Sequence, residues 1–573
     1  MSGRPGKTSG AGPLPFVWRQ SPSCQEVCFV SMQACHRGRS MPALAAVLLV
    51  AAASVSGAGA AGGADPGFVP IFDGTSLDGW EGKPEFWSVR DGAIVGETTA
   101  EKPTTGNTFL IWRQGDVDDF ELVLKYRIAG GNSGIQYRSK DFGDAVVGGY
   151  QADFEAGATY SGILYEERGR GILAQRGERV MIAEDGSKTA GEPIGKTEEL
   201  QKSIRPGEWN DYRIVARGTR LQHFINGQLM SETDDRQADK RSAEGVLALQ
   251  LHAGPPMKVE FKDIGLKRLK LVDGRKKLVM VAGRASHPPG QHEFRAGCML
   301  LAKCLDAAFP AGAAGPHLVT TVHTGGWPTD PSAFDNADAL LFFADGGGGH
   351  PVIQSNRLAQ VDALAKRGVG VACLHYAVEV PKEKGGPEFL AWLGGYFETH
   401  WSVNPTWTLA RTELAQGHPI TRGVKPFETS DEWYYHMRFP EPMAGVTPIL
   451  TAVPPDSTRE RPDGPHGNNP TVRAAKGARE VLAWACERPA GGRGFGCTGA
   501  HFHRNWANDD FRRLMLNALV WTAGLDVPAG GIASTVDEAD LAANLDDKPA
   551  PQPKPAAPAV PPAKPVPPAP AKT

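Results

Sequence analysis

Six side chains in the second half of the 573-residue chain stand where a sheet could gather them. His287 and His292 follow the apolar run Leu278-Val279-Met280-Val281-Ala282. Asp345 and His350 follow a second run over 339–344, His375 closes a third over 369–374, and His501 lies just past Gly499-Ala500. Neutral imidazole is the commonest metal ligand, and it changes charge near neutral pH. Histidines and a carboxylate on one edge therefore suit a metal ion or a proton-transfer site. A divalent metal of open identity is the one candidate cofactor; the sequence establishes none. The nearest pair at ligand spacing, His501-x-His503, is not diagnostic, and a lone histidine is more often a structural hydrogen-bonder. Cysteine supplies no alternative. Of the eight, Cys24, Cys28 and Cys35 precede the folded part. Cys298, Cys304, Cys373, Cys486 and Cys497 are odd in number and lie in apolar or glycine-rich runs. They read as buried thiols rather than a disulfide framework or zinc site, with room for a single bridge in an oxidising compartment.

The elements that would position these groups follow from periodicity. The three apolar runs are continuous, as in strands buried on both faces. Leu358, Val361, Leu364 and Ala365 form a helical stripe between two of them, so strand and helix alternate as in a parallel sheet covered by helices. A last helix is expected from the cap Asn508-Asp509-Asp510, through Phe511, Leu514, Leu516, Leu519 and Val520, to Gly524. The first half differs. Phe120, Leu122, Leu124, Tyr126 and Ile128 alternate with polar residues, as do Tyr212, Ile214 and Ala216, and Leu247, Leu249 and Leu251. Asn226-Gly227 signals a two-residue hairpin. No long helical period interrupts, so a β-sandwich is predicted. The predicted domains are an extension with a signal peptide (1–61), a sandwich (66–271), an α/β domain (276–527) and a disordered Pro/Ala/Lys-rich tail (546–573).

The signal rests on His36-Arg37-Gly38-Arg39, the apolar run 43–55 and Ala58-Gly59-Ala60. Met32 and Met41 are alternative starts. The run is short for a bilayer span, and the competing reading is an uncleaved anchor. Export to the periplasm or outside the cell is expected, without stable membrane insertion after cleavage. A net charge of −3 gives no electrostatic reason to expect nucleic acid.

Several phrases of the first half occur in a telling order: Phe72-Asp73-Gly74 through Gly79-Trp80, Trp87-Ser88-Val89, Asn132-Ser133-Gly134 through Arg138, Gly149-Tyr150-Gln151-Ala152-Asp153, Gly162 through Glu166, and Gly245 to His252. Together they resemble the 3-keto-disaccharide hydrolase family, also described as 3-keto-glucoside 1,2-lyase/hydratase domains. The resemblance implies a concanavalin-like jelly-roll sandwich with a sugar site on its concave face. The chemistry is self-consistent. A ketone at C3 acidifies the C2 proton, a base removes it, and the C1 leaving group departs; water then adds, and the sum is hydrolysis. A base, an acid and ketone-polarising donors are required. On this resemblance Asp153 and Glu166 are the expected acid–base residues and Arg138 the expected donor, with Asn132, Ser133, Gln151, Tyr165 and His252 lining the pocket. Gln151 stands where many members have Glu, which moves the base to Asp153 or removes it. The competing reading of Arg138 is a solvated strand residue, and of Asp73 and Asp91 a pair of turn acids.

In the second half, the segment around His287 and His292, Asp345-Gly346-Gly347, Cys373-Leu374-His375-Tyr376, Gly417-His418-Pro419, Asp431-Glu432 and Gly499-Ala500-His501 resemble the ThuA-like (trehalose-utilisation) family. That implies a flavodoxin-like sheet with the fold of class I glutamine amidotransferases. His375 occupies the strand–turn elbow where amidotransferases carry cysteine, so amidotransferase chemistry is not expected. The chain as a whole reads as a secreted protein cleaving 3-keto-glycosides or disaccharides, with a non-catalytic carbohydrate-binding protein as the alternative. No GxGxxG opens a helix after a strand, so a separate upstream glycoside 3-oxidoreductase would have to make the ketone.

Overall fold

The sandwich grows from the alternation just described. In the computed structural model, which describes residues 67–549 except 273, 311–316 and 411, the strands that matter for the site are β1 (Thr108–Trp112), β2 (Phe120–Ala129), β3 (Asn132–Asp141), β4 (Val147–Glu155), β5 (Leu164–Glu167), β6 (Val246–Leu251) and β7 (Met257–Arg268). β2 alternates buried and half-exposed positions along its length. One sheet has ten strands and includes β2 and β7; the other has seven, with β5-β4-β3-β6-β1 in consecutive order. Their inner faces share a core in which Leu124 and Tyr126 meet Ile135, Tyr150, Phe154 and Leu249. The Tyr126 and Phe154 rings lie 4.0 Å apart across it. At the Asn226-Gly227 turn both residues have positive φ (48° and 79°), as a primed hairpin turn requires.

The second domain contains β8 (Lys276–Ala282), α1 (Phe294–Ala308), β9 (Leu318–His323), β10 (Ala339–Phe343), α2 (Arg357–Lys366), β11 (Gly370–Leu374), β12 (Thr429–Asp431), β13 (Arg493–Cys497) and α3 (Asp509–Thr522). β9-β8-β10-β11-β13 pair in parallel, in the spatial order 2-1-3-4-5 of their appearance. Antiparallel strands Glu480–Glu487 and Val446–Ala452 extend the sheet beyond β13. Asn508 caps α3 by accepting from the Asp510 and Phe511 amides. All five cysteines of the described residues are free and buried.

Charged pairs close the junction between the domains. Lys277 Nζ lies 2.6 Å from Asp118, and Arg268 lies 2.9 Å from Asp330. Asn336 also donates to Asp118. All four ion-pair partners are buried, so each needs its counter-charge. The sequence-based expectations for 1–61 and for the tail beyond 549 lie outside the described residues. Asp546 and Lys548, within the span 546–573 read as tail, are seated against the second domain. Lys548 lies 3.1 Å from Glu293 and donates to the Gln291 carbonyl, and the Asp546 amide donates to Glu293. Glu293 is buried, and Lys548 supplies its cation. Among the described residues no helix is long and apolar enough to cross a membrane.

Candidate functional site

Period two divides the seven-stranded sheet into faces. Ile135, Tyr137, Tyr150, Ala152, Phe154 and Leu164 enter the core. Their alternates Asn132, Gln136, Gln151, Asp153, Tyr165 and Glu167 therefore occupy the opposite face. There a chain of donors converges on one carboxylate. Ser139 Oγ donates to Gln136 (2.6 Å), Gln136 Nε2 to Gln151 (2.8 Å), and Gln151 Nε2 to Asp153 (2.6 Å). Asn132 Nδ2 donates to the other Asp153 oxygen at 3.3 Å. Gly134 makes room: a Cβ there would lie 2.5 Å from the Gln151 side chain. Gln250 on β6 presents a buried Nε2 without a protein partner beside Gln151. Burial pushes the Asp153 carboxyl up to about 7, against the lowering by its amide donors and with help from the Glu155 and Glu167 charges.

Asp153 differs from every other buried acid of this domain. Asp118, Asp119, Glu166, Asp235 and Glu260 each have an Arg or Lys within ion-pair distance; among the described residues Asp153 has amides alone. Two expected site residues are turned elsewhere. Glu166 shares the inward parity of Leu164, and Arg170 clamps it together with Asp235, which also accepts from Tyr150. Arg138, at φ 47°, sends its guanidinium to Asp119, the Asp118 carbonyl and the Gly218 carbonyl, fully buried towards the domain junction. Neither side chain is left to serve a sugar. Ser133 likewise faces inward and donates to the Gln250 carbonyl. Tyr165 stays half-exposed on the Asp153 face, its phenol raised by burial and then by the Glu167 and Asp153 charges. His252 follows β6 at the rim, against the Ala253 carbonyl, while the Ala253 amide donates to Asn107. Glu167, bonded to Asn107, is a further acid on this face, next in sequence to the inward-facing Glu166.

In the second domain the loops beyond β8, β10, β11 and β13 meet at the carboxyl edge, where the strand order reverses direction. His292 Nε2, His375 Nε2 and His501 Nδ1 lie 3.0, 3.1 and 3.1 Å from one another. Glu432, directly after β12, brings Oε2 to 3.3 Å from His501 and 3.6 Å from His375. The Tyr434 hydroxyl is 3.2 Å from His375 Nε2. These four acid and imidazole side chains could hold a metal ion. Burial, and then the neighbouring histidines, depress His292 to about 2 and hold His375 well below its ordinary value.

The backbone is bent to make this possible. His287, His292 and His375 have φ of 61°, 48° and 53°, and Ala500, next to His501, has 90°. Such conformations persist in non-glycine residues only where the surroundings impose them. Asp431, fully buried, imposes one: its carboxylate accepts from the amides of Ala500, His501 and Phe502 and from Asn505. His287 stacks on His292 with ring centroids 3.6 Å apart, and Asp345 accepts from His292 Nδ1 and Ser286. His350 is not part of the cluster. It is buried against Phe342 and Phe389, accepts from the Val352 amide and contacts the Ala377 carbonyl; the apolar run before it places it in the core. Glu379, buried, and His466, half-exposed, form a further pair 2.8 Å apart, in which the Glu379 hydrogen bond raises His466.

Residues 67–267 match the family model described as a 3-keto-alpha-glucoside-1,2-lyase-like domain, and residues 295–522 match the trehalose-utilisation (ThuA) model. This is the fusion that the sequence motifs resemble, and both families are directed at carbohydrates. No curated protein matches the chain. Similar solved structures include a putative glycosyl hydrolase from Parabacteroides distasonis (18% identity, 35% of this chain and 99% of that one, TM-score 0.24). A putative ThuA-like protein from Bacteroides uniformis is 18% identical over 44% of this chain and 92% of that one, with TM-score 0.32. A Bacillus subtilis carbohydrate-binding module of type CBM66 is 16% identical over 33% and 95%, with TM-score 0.23.

Proposed function

We propose that the sandwich cleaves 3-keto-glycosides, with Asp153 as the base that removes the C2 proton. The observation that carries this reading is a buried carboxylate with amide donors but no cation, held near neutrality by its surroundings. An acid paired with arginine is a poor base because its charged form is already stabilised; a base works best with its pKa near the operating pH. When Asp153 takes the C2 proton, the electron pair moves towards the C3 ketone and the C1–O bond breaks. The departing oxygen receives a proton; water then adds across C1=C2, its hydroxyl to C1 and a proton back to C2, which completes a hydrolysis. Glu167 is assigned the second acid–base role in place of Glu166. Tyr165, Asn132, Gln151 and His252 contact the sugar, and Gln250 Nε2 donates to it.

The 2-1-3-4-5 strand order supports reading the second domain as flavodoxin-like. The ThuA match supports its action on, or binding of, related sugars. In this reading the protein is exported, and a separate oxidoreductase supplies the 3-keto group. The test is release of the aglycone from a 3-keto-glucoside by the full chain, compared with the parent glucoside. Equal inertness to both substrates would leave only a binding protein.

A further inference from the structure

The histidine cluster of the second domain stands apart from the Asp153 chemistry and poses its own problem. His375 Nδ1 lies 2.8 Å from the Thr498 carbonyl, which can only accept, so Nδ1 carries the hydrogen. His292 Nδ1 lies 3.1 Å from the Asp345 carboxylate, which fixes the same tautomer. Both Nε2 atoms are then bare lone pairs, facing each other at 3.1 Å inside the protein. His501 Nδ1 and the Tyr434 hydroxyl can bring at most one hydrogen each to this space, which also holds a Glu432 carboxylate oxygen. Three imidazole nitrogens and a carboxylate oxygen converging on one point are an arrangement that a cation completes.

We propose that His292, His375, His501 and Glu432 bind one divalent transition-metal ion, with Zn2+ the best match to the donor set. Three nitrogens 3.0–3.1 Å apart place an ion with Zn–N bonds of about 2.05 Å roughly 1 Å above their plane. Ligands of a tetrahedral ion with such bonds lie about 3.3 Å from one another, and Glu432 Oε2 is 3.3 and 3.6 Å from two of the nitrogens. The set needs only slight expansion to close on the ion. The outer partners fit as well: a metal-bound imidazole commonly donates its other N–H to a carboxylate or carbonyl, here Asp345 and Thr498. Asp431 fixes the loop that carries His501.

The test uses the full-length protein, stripped with a chelator and titrated with Co2+ and then Zn2+. One Co2+ per chain is expected, giving the visible d–d band of a near-tetrahedral site that Zn2+ abolishes. His292→Ala and His375→Ala should lose the band. Asp345→Asn keeps all four donors and should weaken affinity roughly 10- to 100-fold with an unchanged far-ultraviolet circular dichroism spectrum. His418→Ala, which alters a histidine packed on Trp521 outside the cluster, should bind normally. A folded wild type that takes up no stoichiometric Co2+ overturns the site, and so does binding indifferent to both His375→Ala and Asp345→Asn.

Discussion

Replacing Asp153 with Asn should stabilise the protein at alkaline pH and leave its stability unchanged at acid pH. The carboxyl is raised from 3.8 to about 7 by burial. Between those values the folded chain keeps a proton that the unfolded chain releases. Stability is therefore fully present below about pH 3.8 and is lost as pH rises through about 7, at up to 1.4 kcal/mol per pH unit. A rise of about three units corresponds to about 4 kcal/mol in total. Asn copies the neutral acid in shape and does not titrate, so Asp153→Asn escapes this loss. For a domain of this size 1 kcal/mol moves Tm by about 2–4 °C. The Tm difference between variant and wild type should thus grow by about 8 °C or more from about pH 4 to pH 8. Scanning calorimetry of both full-length proteins across that range is the assay. A difference that stays flat, or that favours wild type at high pH, would mean that Asp153 is ionised throughout, and the electrostatic argument for its role would fail.

The same titration sets the rate: kcat/KM for a 3-keto-glucoside should climb as pH rises through about 7, because only the carboxylate form can accept the C2 proton. Glu167→Gln and Glu166→Gln should separate chemistry from architecture. The first should lower kcat by roughly 10²-fold or more at unchanged Tm, while the second should cost roughly 1–3 kcal/mol of stability and leave kcat of the folded protein intact. Arg138→Met, which strips a buried partner from Asp119, should destabilise by about 3 kcal/mol, the lower end for a broken buried pair because Arg275 also contacts Asp119. Urea unfolding and steady-state kinetics on one preparation measure both effects.

The layers of both domains were legible because burial imposes a period on the sequence. The alternation in β2 and the continuous run in β8 each point to one environment. The sequence motif marks Asp153 as a candidate, and the place after apolar strands marks His292, His375 and His501, which the structure brings together. The misassignments have a common physical source. A motif gives residue types but not parity, so it points to Glu166 although the next residue, Glu167, shares the sheet face of Asp153. Arg138 sits at a register shift in β3 with positive φ, which turns its side chain from where simple alternation would aim it. Glu432 was visible beside Asp431 in the sequence, but β12 is only three residues long, too short for a hydrophobic pattern to place it at the sheet edge. Glu379 and His466 lie in the long excursion between β11 and β13, where no periodic signal exists.

The most direct trial of the catalytic reading is aglycone release from a 3-keto-glucoside by wild type and Asp153→Asn, side by side at a pH above 7. Wild type should release it, and Asp153→Asn should be slower by roughly 10²- to 10⁴-fold while remaining folded and at least as heat-stable. Equal rates in the two proteins would contradict the assignment of Asp153 as the base.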